Sequence, residues 1–130
     1  MAYKILVVDD DPALLEVTKE ALKRKGYEVI TAENGLEAMK IVKEGLPNLV
    51  LTDVEMPYMD GINLCIELKK IEYPGMRIIR SGRTQEHHGE RLEQILKIAP
   101  EKTKYLQKPH SLDALFRTVN TLLDKKPLDS

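Results

Sequence analysis

The chain has 130 residues, with 20 Lys and Arg against 21 Asp and Glu and a formal net charge of −1. That balance excludes a global basic field of the kind nucleic acid attracts, and no local basic patch is interleaved with aromatics. A hydrophobic content of 42% supplies one core for one compact domain, and a single cysteine, Cys65, excludes an internal disulfide framework and fits a reducing compartment. No stretch approaches the roughly 18 apolar residues that span a bilayer, and Met1-Ala-Tyr-Lys carries no signal-peptide pattern. The expectation is a cytoplasmic protein with no direct nucleic-acid or membrane contact.

In chain order, Tyr3 to Val8 is a short apolar run that predicts a strand. Asp11 as cap and Pro12 at the first position open a helix running to Lys25, with Leu14, Thr18, Ala21 and Leu22 at helical spacing. After Gly26, Tyr27 to Ala32 predicts strand two. Asn34 and Glu37 have capping-box spacing for helix two, which ends by Gly45 and Pro47. Leu49 to Thr52 is strand three, Met56 to Gly61 a turn-rich loop, Ile62 to Ile71 helix three, and Met76 to Arg80 strand four. From Arg83 to Ile98 the pattern turns helical late, with Leu92, Ile95, Leu96 and Ala99 on one face; its polar start predicts no definite element. Lys104 to Gln107 is strand five. Ser111 caps a last helix whose stripe is Leu112, Leu115, Phe116, Val119, Leu122 and Leu123. Residues 1–125 then form one domain and 126–130 a polar tail.

Strand and helix alternate five times, and the strands are short and apolar on both faces. This predicts an α/β fold, a parallel sheet covered by helices on each side. Ligands of such sheets bind beyond the carboxyl ends of the strands. Asp9 and Asp10 end strand one, Asp53 ends strand three, Ser81 strand four and Lys108 strand five. Neighbouring carboxylates repel unless a cation or proton intervenes. Their chemistry suits Mg²⁺, which takes carboxylate and carbonyl oxygens. A carboxylate can also accept a phosphoryl group, and a hydroxyl and an ammonium can bind its oxygens.

Four pieces in order, Ile5-Leu-Val-Val-Asp9-Asp10-Asp11-Pro12, Leu49-Val-Leu-Thr-Asp53 through Met56-Pro57-Tyr58-Met-Asp60-Gly61, Ile78-Ile-Arg-Ser81-Gly82 and Tyr105-Leu-Gln-Lys108-Pro109, resemble a response-regulator receiver domain over essentially the whole chain. The resemblance implies a flavodoxin-like (βα)5 fold with strand order 2-1-3-4-5. It implies that Asp53 is the phosphoacceptor. Asp10 would be a direct Mg²⁺ ligand, Asp9 would act mainly through a metal-bound water, and the Glu55 backbone carbonyl would complete the protein ligands. Ser81 and Lys108 would bind the phosphoryl group, Tyr105 would be the switch aromatic, and Pro109 would follow a cis bond. The phosphate would come from a histidine kinase or phosphotransfer protein, and the recipient of the signal would be a downstream protein. The chain would be no enzyme beyond its own phosphoryl transfer and autodephosphorylation.

Simpler roles apply elsewhere. Asp11 is a helix cap, Asp60 and Gly61 turn and helix-start residues, Cys65 a small core residue, and His87 and His88 surface residues of helix four, since helical neighbours point apart and chelate poorly. Between Ser81 and Lys108 the chain is several residues longer than a typical receiver, with Pro100-Glu-Lys-Thr-Lys where the family has Gly-Ala. Helix four is therefore expected to be remodelled, on the face (helix four, strand five, helix five) where receivers signal or dimerise on phosphorylation. Tyr58 stands where the family often has Gly. Glu55 and Arg83 occupy dephosphorylation-tuning positions and are expected to pair across the entrance. Two rivals remain: a receiver-like scaffold that is never phosphorylated, and an aspartate-nucleophile phosphatase, disfavoured because Glu55 stands where a second Asp belongs. No output domain follows in the sequence, which leaves open a stand-alone receiver, a relay component, or a piece of a larger regulator or hybrid kinase.

Overall fold

The computed structural model describes residues 2–124, so the expected tail at 126–130 lies outside the described residues. Five strands alternate with five helices: β1 (Lys4–Val8), α1 (Pro12–Arg24), β2 (Glu28–Ala32), α2 (Gly35–Glu44), β3 (Leu49–Asp53), α3 (Gly61–Lys70), β4 (Met76–Ser81), α4 (Gln85–Ile98), β5 (Thr103–Gln107) and α5 (Leu112–Asp124). The strands form one parallel sheet in the order β2-β1-β3-β4-β5. The fold is the flavodoxin-like α/β architecture expected. No helix among the described residues is long and apolar enough to cross a membrane.

Side chains alternate between the faces of a strand, and that parity organises both core and site. Ile5 and Val7, Leu49 and Leu51, and Met76 and Ile78 pack with Leu15 and Leu22 of α1 and Leu115, Val119 and Leu122 of α5. Leu6, Val8 and Val50 face α2 and α3 instead, and Ile79 packs with Ile62 of α3 and Leu92 and Ile95 of α4. Continued by one step, the same parity puts Asp9, Asp53 and Arg80 on the α1/α5 side and Ser81 on the α3/α4 side.

The caps follow from sequence. Asp11 accepts from the amides of Ala13 (3.0 Å) and Leu14 (3.3 Å), and Ser111 from that of Ala114 (3.0 Å). Asn34 accepts from the Glu37 amide (2.8 Å), and Glu37 reaches back to the amide of Glu33 (2.7 Å). Two expectations change. The buried row of α1 is Leu15, Thr18 and Leu22, while Leu14 is 44% exposed: both leucines keep helical spacing to Thr18, and packing against the sheet selects Leu15. The unclear start of α4 is one turn, Gln85 to His88, capped by Thr84 and broken from the rest at Gly89 (φ 63°, ψ −143°). Only glycine adopts that backbone readily.

Gly61 opens α3 against the turn after β3, its amide donating to the Val54 carbonyl at 2.9 Å. A Cβ there would lie 2.0 Å from the Asp53 carbonyl oxygen. Gly61→Ala is therefore expected to force backbone apart beneath the site and cost about 3 kcal/mol, a fall in Tm on the order of 10 °C. A thermal melt matching the parent would show that the turn relaxes freely.

Candidate functional site

The carboxyl ends of β1 and β3 bring three acids together. Asp9, Asp10 and Asp53 each offer an oxygen, all within 4.8 Å of one another. Asp9 and Asp53 are buried and Asp10 is exposed. Val8 is in register with Thr52, so the residues that follow them, Asp9 and Asp53, meet just past the ladder on the same face. The Asp11 amide holds Asp9 Oδ1 at 3.0 Å. Burial is the main cause that lifts the Asp9 carboxyl to about 6; the Asp11 amide works against it, and the Asp53 charge adds to it.

Two cations answer these acids. Lys108, at the end of β5, donates its Nζ to Asp53 Oδ2 at 2.9 Å, and the Lys108–Pro109 bond is cis, as the resemblance implies. Arg80 is the second. It is paired in register with Asp53, and its buried guanidinium reaches Asp53 Oδ1 from Nε (3.3 Å) and Asp9 Oδ2 from a terminal nitrogen (3.5 Å). The Nε contact lacks hydrogen-bond geometry, so Asp53 Oδ1 and Arg80 Nε are both buried without a hydrogen-bond partner. A buried bare carboxylate oxygen beside two further carboxylates is the donor set a hard divalent cation takes, so the residues present fit Mg²⁺.

Ser81 points the other way. Its hydroxyl lies 3.1 and 3.2 Å from the two carboxylate oxygens of Glu55, accepts the Arg83 amide at 3.0 Å, and sits 3.0 Å from Nε2 of His88. The expected pairing of Glu55 with Arg83 is not what forms: Glu55 is met by Ser81 and by His88 (3.7 Å), whereas Arg83 enters through its backbone, its carbonyl accepting the Tyr105 hydroxyl. The physical reason is the turn before Gly89, which carries the imidazole to the carboxylate first. The His88 side chain is only 7% exposed, so it is not the surface residue its helical neighbours suggest. Burial is the main cause that depresses its pKa. Its ring meets Tyr105 edge-on, centroids 6.0 Å apart. Tyr58 is 84% exposed at φ 71°, a left-handed backbone that explains the glycine expected there.

Arg80 and His88 are thus the site residues that motif matching overlooks. A charge in the apolar strand Met76–Ser81, one residue before the hydroxyl, signals the first; a glycine directly after a histidine signals the second. A groove of about 560 Å³ between α1 and α5 exposes Leu14, Val17 and Leu112 beside Arg80 and Lys108. A second, of about 500 Å³ beside Arg77 and Lys102, contains none of the site residues.

The model of the response regulator receiver domain matches residues 5–120. The chain is 34% identical to the chemotaxis protein CheY of Bacillus subtilis over 125 residues, 95% of this chain and 100% of that protein. It is 33% identical to the transcriptional regulatory protein GlrR of Escherichia coli over 93% of this chain but 26% of that protein, so it spans about a quarter of that relative's length. Among solved structures, that of the response regulator TrrA of Thermotoga maritima, in complex with Mg²⁺ and BeF, superposes with a TM-score of 0.79 at 32% identity, covering 92% of this chain and 98% of that one.

The raised carboxyl of Asp9 gives a signed expectation. Folding takes up a proton between the unfolded value of 3.8 and the folded value of about 6. The stabilisation from this group is complete below the lower value and is lost as pH climbs through the upper one. Asp9→Asn should remove that slope and stabilise the metal-free protein at pH 7 by on the order of 2 kcal/mol. Urea midpoints of both proteins at pH 4, 5, 6 and 7 read it directly; a variant no more stable than the parent at pH 7 would refute it.

Proposed function

The chain belongs to the response regulator receiver family of two-component systems, and we propose that Asp53 is its phosphoacceptor. The observation that carries the reading is the Asp53 carboxylate itself, buried at the carboxyl edge of the sheet with Lys108 on one oxygen and the other, ion-paired with Arg80 but without a hydrogen bond, set among acids. In the proposed step an Asp53 oxygen attacks the phosphorus of a phosphohistidine on a kinase or phosphotransfer protein. A P–O bond forms, the P–N bond breaks, and the departing imidazole takes up a proton. Mg²⁺, when bound, supplies positive charge that offsets the acids and the phosphoryl oxygens. Asp9, Asp10, Asp53 and the Glu55 carbonyl would hold it, and the neighbouring complex of TrrA with Mg²⁺ and BeF supports that assignment.

The remaining roles divide between the faces. Lys108 neutralises the phosphoryl group, and Ser81 donates its hydroxyl to it once free of Glu55. Tyr105 would change rotamer as that hydroxyl moves, remodelling the face of α4, β5 and α5, where a downstream protein or a second phosphorylated copy would dock. Glu55 and Arg83 flank the approach of water and would set the lifetime of the phosphorylated state. Phosphoryl transfer and its hydrolysis are the chain's own chemistry, and a cytoplasmic location fits such partners.

Incubation with Mg²⁺ and acetyl phosphate should add one labile phosphoryl group by intact mass, and Asp53→Asn should abolish it. A folded parent that takes none would favour a scaffold; a label surviving in the variant would move the acceptor. A second expectation concerns Arg80, whose charge faces the oxygens a cation needs. Arg80→Met should tighten Mg²⁺ binding on the order of tenfold by isothermal titration calorimetry, while Arg80→Lys stays nearer the parent. Equal or weaker binding in Arg80→Met would show that the guanidinium does not compete.

A further inference from the structure

We propose that His88 is a positioning residue that withholds the Ser81 hydroxyl from the phosphoacceptor and ties its release to Tyr105. The inference rests on the reading of Asp53 as phosphoacceptor and Ser81 as a phosphoryl ligand. A serine hydroxyl has one proton to give and two lone pairs to fill. Here the proton goes to Glu55. The Arg83 amide fills one lone pair. The remaining contact, 3.0 Å from His88 Nε2, completes the set when the imidazole carries its proton on Nε2. All three capacities are then used, and none is directed at Asp53. To serve a phosphoryl oxygen, Ser81 must give up Glu55, and His88 stabilises the arrangement it must leave.

The chain builds this contact deliberately. The rest of α4 is anchored in the core by Leu92 and Ile95, so a continuous helix would fix the direction of residue 88 from there. The break at Gly89 frees the turn Gln85 to His88 to aim inward. Apart from its chain neighbours and its own helix backbone, no heavy atom lies within 4 Å of where a Cβ on Gly89 would sit, so the glycine answers a backbone need and not a spatial one. The same imidazole leans on the Tyr105 ring, and the Tyr105 hydroxyl holds the Arg83 carbonyl. Ser81, Arg83, His88 and Tyr105 therefore close one circuit, and a hydroxyl leaving Glu55 loosens the packing of the aromatic.

The test measures Asp53 labelling by acetyl phosphate with Mg²⁺ as a function of donor concentration. His88→Leu should raise the limiting rate roughly threefold to tenfold, the size of one hydrogen bond, and leave the half-saturating concentration unchanged. His88→Gln, which restores a donor near Nε2, should return the rate to within about twofold of the parent. Gly89→Ala, keeping the imidazole but opposing the break, should resemble His88→Leu. In a Ser81→Ala background the His88 substitution should have no effect. A limiting rate in His88→Leu that is unchanged or lower at parental Tm, or a glutamine variant that behaves as leucine does, would overturn the proposal. A parent that takes no label defeats the phosphoacceptor reading instead. The latch then stands or falls on the imidazole ¹H–¹⁵N spectrum, which should show the Nε2–H tautomer of His88 and shift in Ser81→Ala; another tautomer, or no shift, refutes it.

Discussion

Three carboxylates at the ends of two adjacent strands repel one another, and the surroundings of the site are arranged around that repulsion. Asp9, chiefly because it is buried and in smaller part because Asp53 is charged, holds its proton to about 6. Lys108 arrives from β5 and Arg80 from β4, so Asp53 is flanked by cations from both strands beyond it. Burial sharpens every term, because opposite and like charges alike act more strongly away from water. The arrangement leaves one carboxylate oxygen unsatisfied, a cost the fold retains at the position where chemistry is proposed.

Much of this was legible from the chain. Asp11-Pro12, Asn34 with Glu37, and Ser111 marked helix starts because capping is local chemistry, complete within a few residues. Alternation of short apolar strands with helices points to a parallel sheet, and parallel sheets gather strand ends at one edge, so the convergence of Asp9, Asp53 and Lys108 follows from it, whereas Ser81 reaches the same edge but faces the other side. Strand order could not be read from spacing and came through family resemblance. Leu14 and Leu15, two apolar neighbours at the start of α1, offer alternative stripes, and only tertiary packing selects Leu15.

The less legible part of the site has a common cause. Whether His88 faces solvent or Ser81 depends on a dihedral break one residue later, and a polar stretch with no hydrophobic period conceals such a break. The pairing of Glu55 was likewise settled by competition among nearby groups, and the imidazole reached the carboxylate that Arg83 was expected to meet. Arg80 looked like the last residue of an apolar strand. Its meaning emerged only from register, opposite Asp53.

Arg80 and Ser81 are consecutive, yet they serve opposite sides of the sheet. The guanidinium belongs to the compartment of α1 and α5, the hydroxyl to that of α3 and α4. Charge compensation and hydroxyl supply can therefore drift separately under mutation, one through residues packed on α1, the other through the first turn of α4. The strand that joins them permits no such freedom in length. Inserting or deleting one residue within β4 would exchange the two sides, sending a guanidinium toward Glu55 and a hydroxyl toward the acids. Point substitution can retune this domain in small steps, whereas an indel in that strand inverts it.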